Sequence, residues 1–140
     1  MNFFFVIVLS AMLCCCRRSE KDMAGVYLKS PSVNTIDSLI IYAGSRVPTP
    51  VYNRTVYKYK QRFYNRKTGV LLFENESTWW MDDNGRLELN NLYVDTDNNP
   101  DEFSHTAEAI KNAVISSSLP IQGNKIMVDE DRNMFYRKIK

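Results

Sequence analysis

An alternating acidic run is the first candidate for chemistry in this chain. From Asp95 to Asp101, carboxylates and an amide stand at every second position, which is how the first half of a calcium loop presents oxygen ligands. Such a loop also needs a glycine at its sharp turn and a bidentate glutamate at its twelfth position. Pro100 and Thr106 stand at these positions, so we expect an acidic surface turn without a metal.

No other group of residues has the spacing of a catalytic site. His105 is the single histidine, and no cysteine lies near it in the sequence. The adjacent carboxylates Asp82 and Asp83 fall in a predicted turn, where such residues serve as turn formers. The serines at 116–118 lack the flanking glycines of a nucleophile elbow. We therefore predict a protein that is not an enzyme and carries no cofactor.

The three cysteines are consecutive, Cys14 to Cys16, and they follow an uncharged apolar run from Met1 to Leu13. Cysteines that are neighbours in sequence are poorly placed to cross-link distant parts of a fold. The apolar run is long enough for the hydrophobic region of a signal peptide and shorter than the ~20 residues of a spanning helix. Residues 1–16 are therefore predicted to be a targeting segment.

The end of this segment resembles a bacterial lipobox, in which a leucine lies three residues before the lipidated cysteine. Leu13 and Cys16 have this spacing. The resemblance implies that Cys16 carries acyl chains such as palmitate and anchors the protein in the cell envelope, at the outer membrane. A plain secretory signal and an uncleaved tether are the alternatives. Residues 17–24 are polar and aperiodic, which predicts a flexible tether.

A long basic stretch follows, because no acidic residue lies between Asp37 and Glu74. Within it, Lys58, Lys60 and Arg62 alternate along one predicted strand and so share a face. We expect this face to be electropositive and to dock an acidic protein partner or anionic lipid, since clustered charge steers encounter. The alternative is a solvated edge strand that lysine protects from aggregation.

Trp79 and Trp80 are adjacent on another predicted strand, so their side chains point to opposite faces. One of them can belong to the core, while the other meets solvent, the interior of a barrel, or a partner. We expect the outward tryptophan to be a contact residue.

The composition limits both fold and partners. With 140 residues, of which 44% are hydrophobic and 24% charged, the chain suits one globular domain, placed at residues 25–140. A formal net charge of +2 is too small for a nucleic-acid-binding protein, so nucleic acid is not an expected partner. We expect a monomer.

Strand patterns cover most of this domain. Alternation is clearest from Tyr57 to Tyr64, where Tyr57, Tyr59 and Phe63 lie on the face opposite the basic residues. Turn signals at 65–69 and 82–85 separate the next runs, and a hairpin closes the chain at 125–139. We predict a mainly β fold, an antiparallel meander with one short helix over 104–116.

The strand runs, taken in order, resemble the small lipocalin-like lipoproteins of Bacteroides-type bacteria. The similarity is one of pattern over the whole mature chain, and it implies a small β-barrel or half-barrel. The tryptophan in the first strand of true lipocalins is absent, and Tyr27 is the nearest aromatic residue. The runs that carry the resemblance are GVYLKS, SLIIY, YKYKQRFYN, KTGVLLFENESTWW, RLELNNLYVD and NKIMVDEDRNMFYRKIK.

Two hypotheses from different classes follow. The first is a non-catalytic, lipid-anchored protein that binds a protein partner, of the inhibitor or immunity type, through the basic strand and the outward tryptophan. The second is a carrier of a small apolar ligand, held in a cavity lined by Tyr57, Tyr59 and Phe63. A barrel of about eight strands is usually filled by its own side chains, which favours the first hypothesis.

Overall fold

A computed structural model describes residues 18–30, 35–47, 55–93 and 114–140. Within these ranges the chain forms one short helix and nine strands. Cys16, the acidic run from Asp95 to Asp101, and residues 104–113 of the predicted helix lie outside them. The elements are α1 (Glu20–Met23), β1 (Gly25–Ser30), β2 (Thr35–Val47), β3 (Val56–Asn65), β4 (Leu71–Met81), β5 (Leu87–Tyr93), β6 (Val114–Leu119), β7 (Ile121–Gln122), β8 (Lys125–Asp129) and β9 (Met134–Lys138).

The strands form one antiparallel sheet that curls into a nearly closed barrel with a single seam. Their order is β6-β5-β4-β3-β2-β1-β9-β8-β7, so that β1 pairs with β9. The seam falls between β6 and β7, which are separated in the chain only by Pro120. There, the Met127 amide of β8 donates to the Pro120 carbonyl at 2.9 Å. The predicted meander barrel is confirmed, and its shape is lipocalin-like.

The interior of the barrel follows the period of two that the sequence predicts for half-buried strands. On β3, the residues with odd numbers from 57 to 63 are all buried, and they pair with β4 residues on the same inner face. Apolar side chains from the other strands meet them along the barrel axis. The largest fully buried side chains are Trp79, Tyr59, Tyr136, Phe63, Met23, Leu39, Ile41, Leu87, Leu89, Leu92 and Ile126.

Strand β5 contains a β-bulge. The register with β6 shifts between Leu89 and Leu92, and Asn91 has a φ of 52°. Asparagine tolerates this left-handed conformation better than most residues. The extra residue returns Leu92 to the interior, where it is as fully buried as Leu87.

The helix predicted over 104–116 is wrong at its C-terminal end. Val114 and Ile115 belong to β6 and pair with Tyr93 and Leu92 of β5. Both residues are β-branched, a class that suits a strand packed on a neighbouring strand. Cross-strand pairing therefore outweighs the helical spacing of the apolar residues.

The prediction of a flexible tether is wrong for residues 19–23. Ser19 and Asp22 form a reciprocal capping box around α1, in which the Asp22 carboxylate accepts from the Ser19 amide at 2.8 Å. Met23 is only 1% exposed, and its carbonyl accepts a hydrogen bond from the Tyr27 hydroxyl at 2.8 Å. A single apolar side chain in a polar segment gives no periodicity, so the sequence pattern did not reveal that this segment packs on the barrel.

Candidate functional site

The outer face of β3 and β4 is an interlocked set of charges. Lys58, Lys60 and Arg62 share this face, and the register places them opposite Thr78, Glu76 and Glu74. We call the three cations and the two carboxylates the charged ladder. Its ion pairs are Lys58–Glu76 at 3.4 Å, Lys60–Glu74 at 3.3 Å, Lys60–Glu76 at 3.5 Å and Arg62–Glu74 at 2.6 Å.

The pairing changes the expected electrostatics of this face. Two carboxylates from β4 offset two of the three positive charges, so the face is less positive than its cations alone would make it. The hydrogen bond from Arg62 holds the pKa of Glu74 below its ordinary value, and the hydrogen bond to Glu74 raises the pKa of Lys60. Exposed ion pairs contribute little to stability. Their main effect here is to bring five charged groups together on one face of the barrel.

The two tryptophans point to opposite faces of β4, as the sequence predicts. Trp79 is 0% exposed, and its Nε1 donates to the carbonyls of Tyr42 and Lys58, both at 3.1 Å. It therefore offers no contact surface and fills the core beside Tyr57, with ring centroids 5.0 Å apart. Trp80 is the outward tryptophan, half-buried on the same side of β4 as Glu76.

An exposed aromatic residue also lies near the ladder on β2, the strand that pairs with β3 on the side away from β4. Tyr42 of β2 is 39% exposed, and its phenol is close enough to Lys60 to influence the pKa of that amine. The ladder is therefore flanked by the exposed Tyr42 on β2 and by the half-buried Trp80 on β4. Tyrosine, tryptophan and arginine are the residues that most often dominate the binding energy of protein interfaces.

The inner aromatic residues of β3 pack tightly inside the barrel. Tyr57 is 8% exposed, and Tyr59 and Phe63 are 0% exposed. The Tyr59 hydroxyl donates to the Asn90 carbonyl at 2.5 Å, and the ring of Phe63 lies 6.2 Å from that of Phe73. These contacts give each ring a partner from the chain itself.

A buried polar cluster at the interior was missed by sequence reasoning. The Tyr136 hydroxyl donates to Asp37 Oδ2 at 2.5 Å and accepts from Gln61 Nε2 at 2.8 Å. Gln61 also bonds both the carbonyl and the amide of Tyr93, at 2.6 and 3.1 Å. The signal that could have found it is Gln61 itself, since a glutamine on an otherwise aromatic inward face must have polar partners.

The described residues and the comparisons add few further constraints. Within the described ranges, no cluster of three or more histidine, cysteine, aspartate or glutamate side chains is placed to hold a metal ion. The same ranges contain no helix with the length and hydrophobicity to cross a membrane.

Comparison of the chain with protein-family models, curated proteins and solved structures finds no match.

Proposed function

We propose that this chain is a non-catalytic, lipid-anchored protein of the cell envelope that binds a protein partner, of the inhibitor or immunity type, through the charged ladder and Trp80. The supporting observation is the ladder itself, in which ion pairs between β3 and β4 gather five charges on one face, close to the exposed Tyr42.

The charge pattern indicates what kind of partner would fit. After internal pairing, the ladder retains one excess positive charge, and it presents a row of cations on β3 beside a row of carboxylates on β4. A partner with a complementary pattern, acidic on balance, would gain in encounter rate and in register. Tyr42 and Trp80 would supply the apolar contacts that charged groups do not.

Site-specific photocrosslinking tests the binding role. A photoreactive amino acid replaces Trp80 in the full chain, produced in its native cells, and a matched variant carries it at Arg132. Arg132 is exposed on the turn between β8 and β9, outside the ladder. We expect a discrete crosslinked protein from position 80 and none from position 132, because only the former lies within the proposed interface.

The crosslinked partner then allows affinity to be measured directly. Trp80→Ala and Arg62→Glu should each weaken binding by at least ~10-fold, the effect of losing an interface hot spot. Arg132→Glu makes a charge change of the same size and should leave the affinity unchanged. Equal losses from Arg62→Glu and Arg132→Glu would show that general charge, and not the ladder, governs binding.

Metabolic labelling tests the lipid anchor. Cells that express the full chain are grown with radiolabelled palmitate, and the protein is isolated. Cys16→Ser should abolish incorporation, whereas Cys15→Ser should retain it, because only Cys16 has the lipobox spacing from Leu13. Label that persists in Cys16→Ser would contradict the assignment of this cysteine.

The alternative function, carriage of a small apolar ligand against Tyr57, Tyr59 and Phe63, has weaker support. The ring of Tyr57 packs on Trp79, and the ring of Phe63 packs on Phe73. The Tyr59 hydroxyl donates a hydrogen bond to a backbone carbonyl. A ligand would have to displace these contacts. Native mass spectrometry of the protein purified from its source would reveal a retained small molecule and so favour the carrier function.

A further inference from the structure

The turn between β3 and β4 presents apolar side chains to solvent. Val70 is 59% exposed and Leu71 is 47% exposed, and the two residues are consecutive in the chain. Single exposed apolar residues are common on protein surfaces, whereas adjacent ones form a patch of the kind that serves interactions. We call residues 66–71 the hairpin tip.

Two cations share the hairpin tip with these apolar side chains. Arg66 and Lys67 are both exposed, and none of the ion pairs between described residues involves either of them. Residues 66–71 contain no carboxylate. Glu74, the next acidic residue along the chain, is engaged in the charged ladder. The hairpin tip is therefore both apolar and basic.

A network of hydrogen bonds organises the backbone of the hairpin tip. The Asn65 amide donates to the Val70 carbonyl, and the Gly69 amide donates to the Asn65 carbonyl, both at 2.8 Å. Asn65 Oδ1 also accepts from the amides of Lys67 and Thr68, both at 2.9 Å. Gly69 has a φ of +70°, which glycine adopts without steric cost. A backbone that is ordered in advance loses little conformational entropy on binding.

The hairpin tip continues the face of the barrel that carries the charged ladder. Side chains alternate between the two faces of a strand, so Tyr64 lies on the same outer face of β3 as Arg62. In the register of β3 and β4, Glu74 pairs with Arg62, and Leu71 pairs with Tyr64. Leu71 therefore offers an apolar contact just beyond the last ion pair of the ladder.

This tip lies at the end of the barrel away from the proposed anchor. Gly25, where β1 begins, pairs with Ile41 of β2, whereas Asn65 pairs with Thr35 of the same strand. Residues 35 and 41 of one strand are about 20 Å apart, and the hairpin tip extends beyond Asn65. A protein attached through Cys16 would thus point the hairpin tip away from its own bilayer, so the molecule within reach of the tip is a protein.

We infer that the hairpin tip inserts into the protein partner, with Val70 and Leu71 in an apolar pocket and the two cations against carboxylates at the rim of that pocket. This inference rests on the proposed binding of a protein partner. Apolar side chains that fill a pocket contribute much of the affinity of an interface, while complementary charge at the rim speeds encounter and sets register. The partner is therefore a protein with an apolar pocket bordered by Asp or Glu.

Photocrosslinking from the hairpin tip tests this inference. In the full chain, produced in its native cells, a photoreactive apolar amino acid replaces Leu71, and a matched variant carries it at Asp131. Asp131 is exposed on the turn between β8 and β9, at the same end of the barrel. We expect position 71 to crosslink the same protein as position 80, and position 131 to crosslink none. Mass spectrometry should locate the crosslink in an apolar segment of the partner with Asp or Glu close by.

Matched substitutions then measure what the hairpin tip contributes to affinity for the crosslinked partner. Leu71→Ser should weaken binding roughly tenfold, as for the loss of an apolar anchor. Ile139→Ser changes an apolar residue that is 51% exposed at the opposite end of the barrel, and it should leave the affinity unchanged. Arg66→Gln should weaken binding at low salt and have less effect at high salt, because salt screens exposed charges. Thermal unfolding verifies that each variant is folded.

The outcomes separate this inference from the proposed function. A partner that crosslinks to position 80 but not to position 71, or equal affinities of Leu71→Ser and the unaltered protein, would overturn the role of the hairpin tip and leave the ladder interface in place. A protein crosslinked from position 71 alone would support the tip and contradict the ladder interface. The absence of a crosslinked protein from both positions would contradict both. A phospholipid adduct at position 71 would place the tip against a bilayer and overturn its docking to a protein.

Discussion

Tyr136 joins two other buried polar residues inside the barrel. It is 0% exposed, and its single hydroxyl serves both the Asp37 carboxylate and the Gln61 amide. Buried groups of this kind cost little while they are paired and much when a partner is removed. The polar cluster therefore specifies one arrangement of β2, β3 and β9.

Removal of the Tyr136 hydroxyl should reduce the stability of the protein. Tyr136→Phe should lower the free energy of unfolding by about 1–3 kcal/mol, because Asp37 and Gln61 each lose a buried hydrogen bond. Tyr42→Phe removes the same atom from an exposed residue and should change it by less than about 0.5 kcal/mol. Urea unfolding monitored by tryptophan fluorescence measures both. A cost for Tyr136→Phe as small as that for Tyr42→Phe would show that water replaces the hydroxyl.

Gly25 is constrained by a close approach of the chain's last residues. Its φ is +150°, and a Cβ there would overlap the backbone oxygen of Lys140 and lie 2.6 Å from Cε of Lys138. Gly25→Ala should therefore destabilise the protein by about 1–3 kcal/mol. Gly85→Ala, at a positive φ with nothing within 4 Å, should cost only about 1 kcal/mol. Thermal unfolding compares the two, and similar midpoints would contradict a steric role for Gly25.

Helix α1 is a single turn that acts as part of the barrel. Its one buried side chain, Met23, is 1% exposed and belongs to the core cluster. Met23→Ala should cost about 2–5 kcal/mol, the range for truncating a buried methionine. Lys21→Ala changes an exposed residue of the same turn and should alter the stability by less than about 0.5 kcal/mol. Denaturant unfolding measures both free energies. Equal changes for the two variants would contradict the packing of α1 on the barrel and would support a flexible tether.

The strands were more predictable than the helices because their signal is local. Alternation along β3 predicted which residues are buried, and the turn residues at 82–85 predicted the hairpin between β4 and β5. Helix α1 gave no periodic signal, and the apolar spacing near Val114 suits a helix as well as the strand that pairing with β5 selects.

The candidate site was predictable only in part, because a local sequence pattern does not show which residues of other strands lie beside it. One strand's sequence shows that Lys58, Lys60 and Arg62 share a face. It does not show which residues lie opposite, and Glu74 and Glu76 come from another strand whose register decides the pairing.

The whole barrel should respond to alkaline pH through its buried tyrosines. Burial raises the pKa of Tyr27 to about 12 and raises the pKa of Tyr59 and Tyr136 above the ordinary value. Above pH ~10 the unfolded chain loses these phenolic protons while the folded chain keeps them. The buried neutral tyrosines contribute their full stabilisation below pH ~10, and this contribution declines as the pH rises towards their pKa values in the folded protein. The free energy of unfolding should fall by up to about 1.4 kcal/mol per pH unit for each fully buried tyrosine.

A pH-jump experiment checks this behaviour. After a jump to alkaline pH, phenolate absorbance should appear in two phases, one immediate from accessible tyrosines and one at the rate of unfolding measured by circular dichroism. The slow phase should report the buried tyrosines. Immediate ionisation of all eight tyrosines while the strands remain folded would contradict the proposed burial.

The order of the strands also determines when the molecule can fold. Among the described strands, β1 is synthesised before all others and β9 after them, yet these two pair with each other. The ring of strands therefore cannot close until β9 has left the ribosome, after all the other described strands. Folds that depend on such long-range pairings form slowly. A nascent chain of this protein consequently has a period in which the edge of β1 waits for its partner, and throughout that period the edge is open to pairing with other chains.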